Sequence, residues 1–185
     1  MPQGNNKKLT LTALKKVLNS KNKPELIQEI AELFKKFPDV KDYYQAQEGN
    51  TEAVLEKYKN IIKKEFRDGF THGLPKARLS TARKAVQDFK KVTEYPDLVA
   101  EVMFTFVEEI SNFNNDFGVD GESYYTSPEA MYHDVLSLLE KHNLLSHFQE
   151  RARNIIENAT HGWGHFDSLS ESYYQFYDEL KNNKT

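Results

Sequence analysis

The longest apolar segment of the chain repeats its hydrophobic residues at the period of an α-helix. From Pro96 onward, apolar side chains recur at spacings of three and four residues. They are Leu98, Val99, Val102, Met103, Phe106, Val107, Ile110 and Phe113. Glutamates lie between them, so this segment predicts a central core helix with one solvent-exposed side. Shorter stripes of the same period follow one another along the chain, and strand-like alternation never lasts more than a few residues.

These stripes predict an all-α protein, a single compact bundle of about eight or nine helices. We expect one domain over residues 1–185, with an N-terminal helical hairpin (1–47) packed on a larger helical core (51–185). The longest predicted break runs from Asn114 to Thr126. A helix is predicted to restart at Ser127-Pro128-Glu129, with Ser127 as its N-cap and Glu129 near the positive end of its dipole.

The opening helical pair, within 9–36, has a short leucine-rich pattern. It superficially resembles the SAP module, a small DNA-binding helical hairpin, over about 30 residues, but its connecting loop lacks a glycine. The ordinary alternative is a helical hairpin that caps the core, with its apolar stripe facing inward.

Composition narrows the class of protein. The chain is 38% hydrophobic and 29% charged, which is typical of a soluble protein. No run approaches the about 20 apolar residues of a membrane helix, and the first residues lack the apolar segment of a signal peptide. The chain has no cysteine, which excludes disulfides, thiolate metal sites and a cysteine nucleophile. We expect a cytoplasmic protein with no membrane partner.

Charge is unevenly distributed along the chain. Residues 57–91 carry eleven Lys and Arg against three Asp and Glu, whereas residues 92–185 carry five against seventeen. Such asymmetry bears on partners and association. Two explanations stay open: the basic and acidic parts pair with each other in the folded protein, or they face partners.

The basic residues centre on a predicted helix over Pro75–Val92. Its apolar residues share one side, and its lysines and arginines collect on another. The predicted binding face comprises Lys63, Lys64, Arg67, Lys76, Arg83, Lys84, Lys90 and Lys91. A cluster of this kind suits an acidic protein partner, or it could neutralise several phosphates of a nucleic acid.

The segment 161–167, HGWGHFD, concentrates rare residue types between two predicted helices. The ordinary interpretation makes Trp163 a buried anchor and has His165 or Asp167 cap the last helix. The functional interpretation is a cleft in which this segment faces an acidic, aromatic stretch. The candidate cleft residues are Asp120, Glu122, Tyr125, Trp163, His165 and Asp167.

Metal and catalytic motifs give no positive signal. Aligning the loop Asp116–Glu122 with a calcium-binding EF-hand leaves two of the main ligand positions without a suitable side chain. A phosphate-binding glycine loop, a metalloprotease motif and a nucleophile elbow are all missing from the sequence. We therefore predict no metal, no cofactor and no catalytic residue, and an enzymatic role has no positive support.

Several stretches together resemble a family of uncharacterised bacterial helical proteins. They are LTALKKVL…FPDVKDYY at the start, the basic helix, YYTSPEAMYHDVLSLLEKHNLLSHFQERARNII and HGWGHFD, which cover most of the chain. The resemblance implies a bacterial origin and a helical fold. Because that family is a domain of unknown function, the resemblance implies no activity, cofactor or catalytic residue.

Three functions follow as hypotheses. The first is a small helical protein that acts by binding, through its charged bipolar surface, a protein partner or a second copy of itself. The second is a nucleic-acid-binding accessory protein that uses the basic helix. The third is a hydrolase or metal-dependent activity near 161–167.

Overall fold

The most apolar segment becomes the central helix of the fold. In the computed structural model, which describes residues 8–68, 70–71 and 73–182, this helix packs against four neighbouring helices. The described residues form α1 (Leu11–Asn19), α2 (Lys23–Lys36), α3 (Pro38–Glu48), α4 (Thr51–Lys63), α5 (Leu79–Val92), α6 (Pro96–Phe117), α7 (Ser123–Lys141), α8 (Leu145–Glu157) and α9 (His165–Asn182). The predicted all-α bundle is confirmed.

Helix α6 is central because apolar side chains cover most of its circumference. Its neighbours are α4, α5, α7 and α8, and α9 packs on α7 and α8. Proline occupies the first turn of α6, where its missing N–H is tolerated. The helix ends at Gly118, whose left-handed backbone (φ +57°) stops it.

The predicted break between α6 and α7 is too long. Helix α6 continues to Phe117 and α7 begins at Ser123, so Ser127 is not an N-cap. Ser127 is buried instead, and its hydroxyl donates to the Ser123 carbonyl one turn earlier. The prediction failed because a Ser-Pro-Glu sequence also fits the second turn of a helix when a neighbouring element satisfies the carbonyl that proline leaves unpaired.

That neighbouring element is α6. Pro128 has no N–H to donate to the Tyr124 carbonyl, which the next helical turn would otherwise satisfy. The side-chain amide of Asn114 donates to this carbonyl at 2.8 Å. A buried asparagine of α6 thus completes the hydrogen bonding of α7.

The basic helix is shorter than predicted, because α5 begins at Leu79 rather than at Pro75. Pro75 belongs to a two-residue strand, β2 (Leu74–Pro75), which pairs antiparallel with β1 (Phe70–Thr71). Ala77 then adopts a left-handed conformation, with φ +52°. Two hydrogen bonds from the Arg78 guanidinium to Glu65, at 2.8 and 2.6 Å, hold the connection against the end of α4, which continues as a π-helical turn over Lys64–Asp68.

The N-terminal helices do not cap the core in the expected way. In α1 and α2, all of whose residues the structure describes, no side chain is buried. Helix α2 packs on α3, and α3 packs on α4 and α5 through the buried residues Asp42 and Ala46. The apolar stripes of α1 and α2 therefore remain largely on the surface.

Candidate functional site

The predicted basic face is spread over three segments. Lys63, Lys64 and Arg67 lie where α4 passes into its π-helical end, Lys76 lies in the connection, and Arg83, Lys84, Lys90 and Lys91 lie on α5. Because α5 begins at Leu79, Lys76 does not share a helical face with the others. The structure thus places the eight cations near one another along the chain without aligning them on one helix.

Acidic and polar partners already contact much of this face. Lys84 and Lys91 both pair with Asp88 on their own helix, and the Arg83 guanidinium donates to the Ser127 hydroxyl. Lys63 pairs with Glu56 at 3.6 Å, and Arg67 pairs with Glu109 at 2.6 Å. Among the residues that the structure describes, the members of the face with neither an ion pair nor a side-chain hydrogen bond are Lys64, Lys76 and Lys90.

Two ion pairs join the basic middle of the chain to its acidic part. Lys59 pairs with Glu101 at 3.3 Å, and Arg67 pairs with Glu109. Burial raises the pKa of the Glu109 carboxyl above its ordinary value, while the charges of Arg67 and Lys63 oppose that rise. Within the described residues, internal pairing therefore neutralises only part of the opposite charge of the two parts.

The 161–167 segment has a strained turn at its centre. Residues Gly162–Gly164 form a 3₁₀ turn in which Trp163 has a left-handed backbone, with φ +57°. The prediction of a buried Trp163 is wrong, because the side chain is 63% exposed. Its ring stacks on Tyr125, with ring centroids 5.7 Å apart and planes inclined by 21°. The aromatic side chain that is buried in this segment is His165 instead.

The structure brings three of the six candidate cleft residues into contact. Tyr125 lies between Trp163 and His165, and its hydroxyl donates to the Val119 carbonyl at 3.0 Å. Burial raises the pKa of the Tyr125 hydroxyl, and the nearby Asp120 charge adds to that rise. Glu122 and Asp167 are exposed at the beginnings of α7 and α9.

His165 is the most buried ionisable residue of the segment, with a side chain that is 0% exposed. Its Nδ1 lies 2.8 Å from Glu129 Oε1 on α7, and its Nε2 lies 3.1 Å from Ser111 Oγ on α6. The prediction that His165 caps the last helix is therefore wrong. Instead, its ring joins α6, α7 and α9 through two side-chain hydrogen bonds.

Sequence reasoning missed Ser111 and Glu129. Ser111 lies directly after Ile110 in the apolar segment of α6, where a lone serine does not indicate which residue it contacts. Glu129 was assigned to a helix N-terminus, but it lies inside α7. A polar residue on an otherwise apolar helix face was the available signal, since such residues need buried partners.

A small cavity adjoins this network. It has a volume of about 120 Å³ and is lined by Glu108, Ser111, Asn112, Asn154, Ile155 and Asn158. Ser111 is thus shared between the His165 network and the cavity wall. The Glu108 carboxylate is neutralised by Arg151, which donates to its two oxygens at 2.7 and 2.8 Å.

A second and larger concavity lies between α2 and α3. It has a volume of about 560 Å³ and is lined by Ile27, Ile30, Ala31, Phe34, Lys35, Tyr44, Gln45, Glu48 and Gly49. The N-terminal part of the chain also carries exposed apolar side chains. These are Leu9, Leu11, Val17, Ile27, Ile30, Leu33, Phe37 and Tyr43. We call the apolar surface of α1, α2 and α3, including this groove, the N-terminal apolar face.

Two further properties concern the described part of the chain. Its His, Asp and Glu side chains form no group of three or more that could hold a metal ion. None of its helices combines the length and the apolar character needed to span a membrane.

Comparison with known proteins gives a family but no activity. No curated protein and no solved structure matches the chain. One family does match, over residues 9–178, and it is described as a family of unknown function, DUF6155. Because the match includes every element from α1 to most of α9, the chain belongs to the DUF6155 family.

Proposed function

We propose that this protein functions by self-association, with the N-terminal apolar face as its docking surface and a second copy of the chain as its partner. The observation that carries this proposal is the exposure of the apolar stripe of α2. Ile27 is 58% exposed and Ile30 is 43% exposed, although both belong to the inward-facing stripe that the sequence predicts.

The proposal rests first on what an amphipathic helix needs. Short helices gain most of their stability from packing their apolar face against other elements. In α2, the residues Ile27, Ile30, Ala31 and Phe34 recur at helical spacing and line one wall of the groove. This spacing is the one at which an amphipathic helix presents its anchor side chains to a hydrophobic groove. Docking would bury side chains that the single chain leaves in water.

Charge favours a second copy as the occupant. The groove is lined by one cation, Lys35 of α2, and one anion, Glu48 of α3, and neither has an ion pair among the described residues. In a two-fold symmetric dimer the same surface meets itself, so Lys35 of each copy can pair with Glu48 of the other. This reciprocal pairing supports an isologous interface between two copies of the chain.

The nucleic-acid alternative draws on Lys64, Lys76 and Lys90, the cations of the basic face that have neither an ion pair nor a side-chain hydrogen bond among the described residues. Asp88, Glu56 and Glu109 neutralise other members of that face, which weakens its attraction for phosphates. Fluorescence anisotropy of labelled single- and double-stranded DNA and RNA at two salt concentrations distinguishes the alternatives. Binding that weakens steeply with salt would support the nucleic-acid alternative. Anisotropy that does not change with protein concentration would exclude that alternative.

Self-association is tested with two variants of α2 that add the same charge. Ile27→Glu places a carboxylate in the N-terminal apolar face, whereas Gln28→Glu places one at the neighbouring exposed position. The expected result is a dimer for the wild type and for Gln28→Glu, and a dissociation constant raised by about tenfold or more for Ile27→Glu. Sedimentation equilibrium measures it. A wild type that stays monomeric at high micromolar concentration, or equal weakening by both variants, would contradict the proposal.

A further inference from the structure

We propose that Ser111, His165 and Glu129 form an acyl-transfer site that hydrolyses small acyl esters, with Ser111 as the nucleophile, His165 as the general base and Glu129 as its positioning residue. The proposal does not depend on self-association. It rests on the connection of these three side chains and on the cavity that Ser111 lines.

The hydrogen-bond order fixes the role of each group. An ionised carboxylate can only accept, so Glu129 Oε1 accepts from the N–H at His165 Nδ1, over 2.8 Å. In the neutral imidazole the other ring nitrogen, Nε2, then carries the lone pair and accepts from the Ser111 hydroxyl, over 3.1 Å. A nucleophile bonded to a base, and a base oriented by a third group, is the arrangement that activates a serine.

The cavity determines what can reach Ser111. Its volume of about 120 Å³ is smaller than the about 300–1,000 Å³ of typical ligand pockets, so it suits a short acyl group such as acetyl rather than a long chain. Ser111 lies on its wall, while His165 lies behind Ser111 and has no exposed surface. The base is thus held in a low-dielectric environment, where its hydrogen bonds are electrostatically stronger than in water.

The same cavity offers donors for a developing oxyanion. Asn112 and Asn154 line it together with Ser111, and side-chain amides can stabilise the negative oxygen of a tetrahedral intermediate. A free carboxylate at this place would oppose that charge. Glu108 is also on the wall, but the bidentate contact with Arg151 neutralises it.

The reaction would proceed in two balanced halves. Ser111 Oγ bonds to the ester carbonyl carbon while its proton passes to His165 Nε2, and the carbonyl electron pair moves onto oxygen. When that pair returns, the ester C–O bond breaks and the leaving alcohol takes the proton from His165. Water then attacks the acyl-serine with His165 again accepting a proton, and the carboxylic acid leaves as Ser111 recovers its hydrogen.

Access and activation can be tested without any known substrate. Since the chain has no cysteine, Ser111→Cys introduces its single thiol. Ser170→Cys is the matched control, because the Ser170 hydroxyl is buried and has no hydrogen-bond partner among the described residues. Alkylation by iodoacetamide is measured against pH. We expect Ser111→Cys to react faster, with an apparent thiol pKa below the ordinary value of about 8.5, and Glu129→Gln in that background to move it back.

The wild-type chain is tested with p-nitrophenyl acetate and with methanesulfonyl fluoride, a serine-directed reagent whose transferred group is as small as an acetyl group. The expected results are a p-nitrophenolate burst and one covalent adduct, mapped to Ser111 by mass spectrometry. Both should vanish in Ser111→Ala and persist in Ser170→Ala, and His165→Gln should lower the acylation rate by about 10²- to 10⁴-fold. A wild type without an adduct, together with a Ser111→Cys thiol that alkylates like the control thiol, would show that the three residues only join helices and would overturn the proposal.

Discussion

Glu65 is the residue that holds the connection between α4 and α5. Its carboxylate accepts two hydrogen bonds from the Arg78 guanidinium and lies buried at the end of α4. These hydrogen bonds lower the pKa of the Glu65 carboxyl below its ordinary value, against the opposing effect of burial. A carboxylate with a lowered pKa stabilises the fold above its unfolded pKa, and that contribution disappears as the pH falls through its folded pKa.

Glu65→Gln should therefore lower the free energy of unfolding at neutral pH and change it little in acid, where the wild-type carboxyl is itself protonated. Urea unfolding at several pH values measures the difference. Glu157→Gln is the control, because the Glu157 pair with Arg153 is exposed on both sides and exposed pairs contribute little. A Glu65→Gln defect of the same size at every pH would show that shape and packing, rather than charge, account for the effect.

At the residue scale, the sequence identified the segment around His165 but not the arrangement of its side chains. The large apolar area of tryptophan favours burial, but here the left-handed backbone at Trp163 accompanies an indole on the surface. The partners of His165 lie 54 and 36 residues away along the chain. Local periodicity carries no information about contacts at such separations, so Ser111 and Glu129 became visible only in the folded chain.

One asparagine of α6 completes the backbone hydrogen bonding of α7. The Asn114 amide donates to the Tyr124 carbonyl that Pro128 leaves without its helical partner. Asn114→Ala should leave this carbonyl unsatisfied and lower the free energy of unfolding by about 1–3 kcal/mol. Denaturant unfolding of the single variant measures that cost.

A double-mutant cycle isolates this interaction from the loss of side-chain packing. Pro128→Ala restores an N–H that can bond the Tyr124 carbonyl within α7. In that background, Asn114→Ala should cost about 1 kcal/mol less than it does in the wild type. If both backgrounds give the same cost, the asparagine acts through packing alone and the proposed compensation is absent.

At the element scale, the stripes predicted the number and order of the helices because each stripe is a local property. Helix boundaries were mispredicted where a hydrogen bond from a residue far along the chain altered the local backbone conformation. Ser127-Pro128 reads as a helix start, yet the Asn114 amide allows the helix to begin earlier, at Ser123. The start of α5 moved from Pro75 to Leu79 because Glu65 binds Arg78 and holds the connection before it in a non-helical conformation. Asn114 and Glu65 both lie outside the helix whose start they affect, so the periodicity that is read within that helix could not identify them.

Across the whole molecule, apolar surface is divided unequally. Residues from α3 to α9 contribute to the buried core, whereas α1 and α2 contribute nothing to it. The basic and acidic parts of the chain meet at a few ion pairs around α6, well inside this core-forming region. The exposed apolar residues instead concentrate at the N-terminal end. All the helices show similar apolar stripes in the sequence, so the stripes alone cannot predict which helices are buried. Burial depends on which helices pack against one another in the folded chain.

Deleting residues 1–36 tests this division directly. Because α1 and α2 bury no side chain, the remaining chain should unfold within a few degrees of the full-length melting temperature, since large losses come from emptied cores. The same deletion removes most of the N-terminal apolar face, so the shortened chain should be monomeric where the full chain is a dimer. Circular dichroism and sedimentation equilibrium measure the two effects.

The full-length Ile27→Glu variant is the reference for this deletion, because it weakens docking while keeping both helices. If docking through α2 is the function of these helices, both proteins should be monomeric with similarly stable cores. A deletion variant that loses its cooperative melting transition would show that α1 and α2 stabilise the fold from outside the core. A dimeric deletion variant would place the contact elsewhere, since the chain would then associate without the surface that α2 provides.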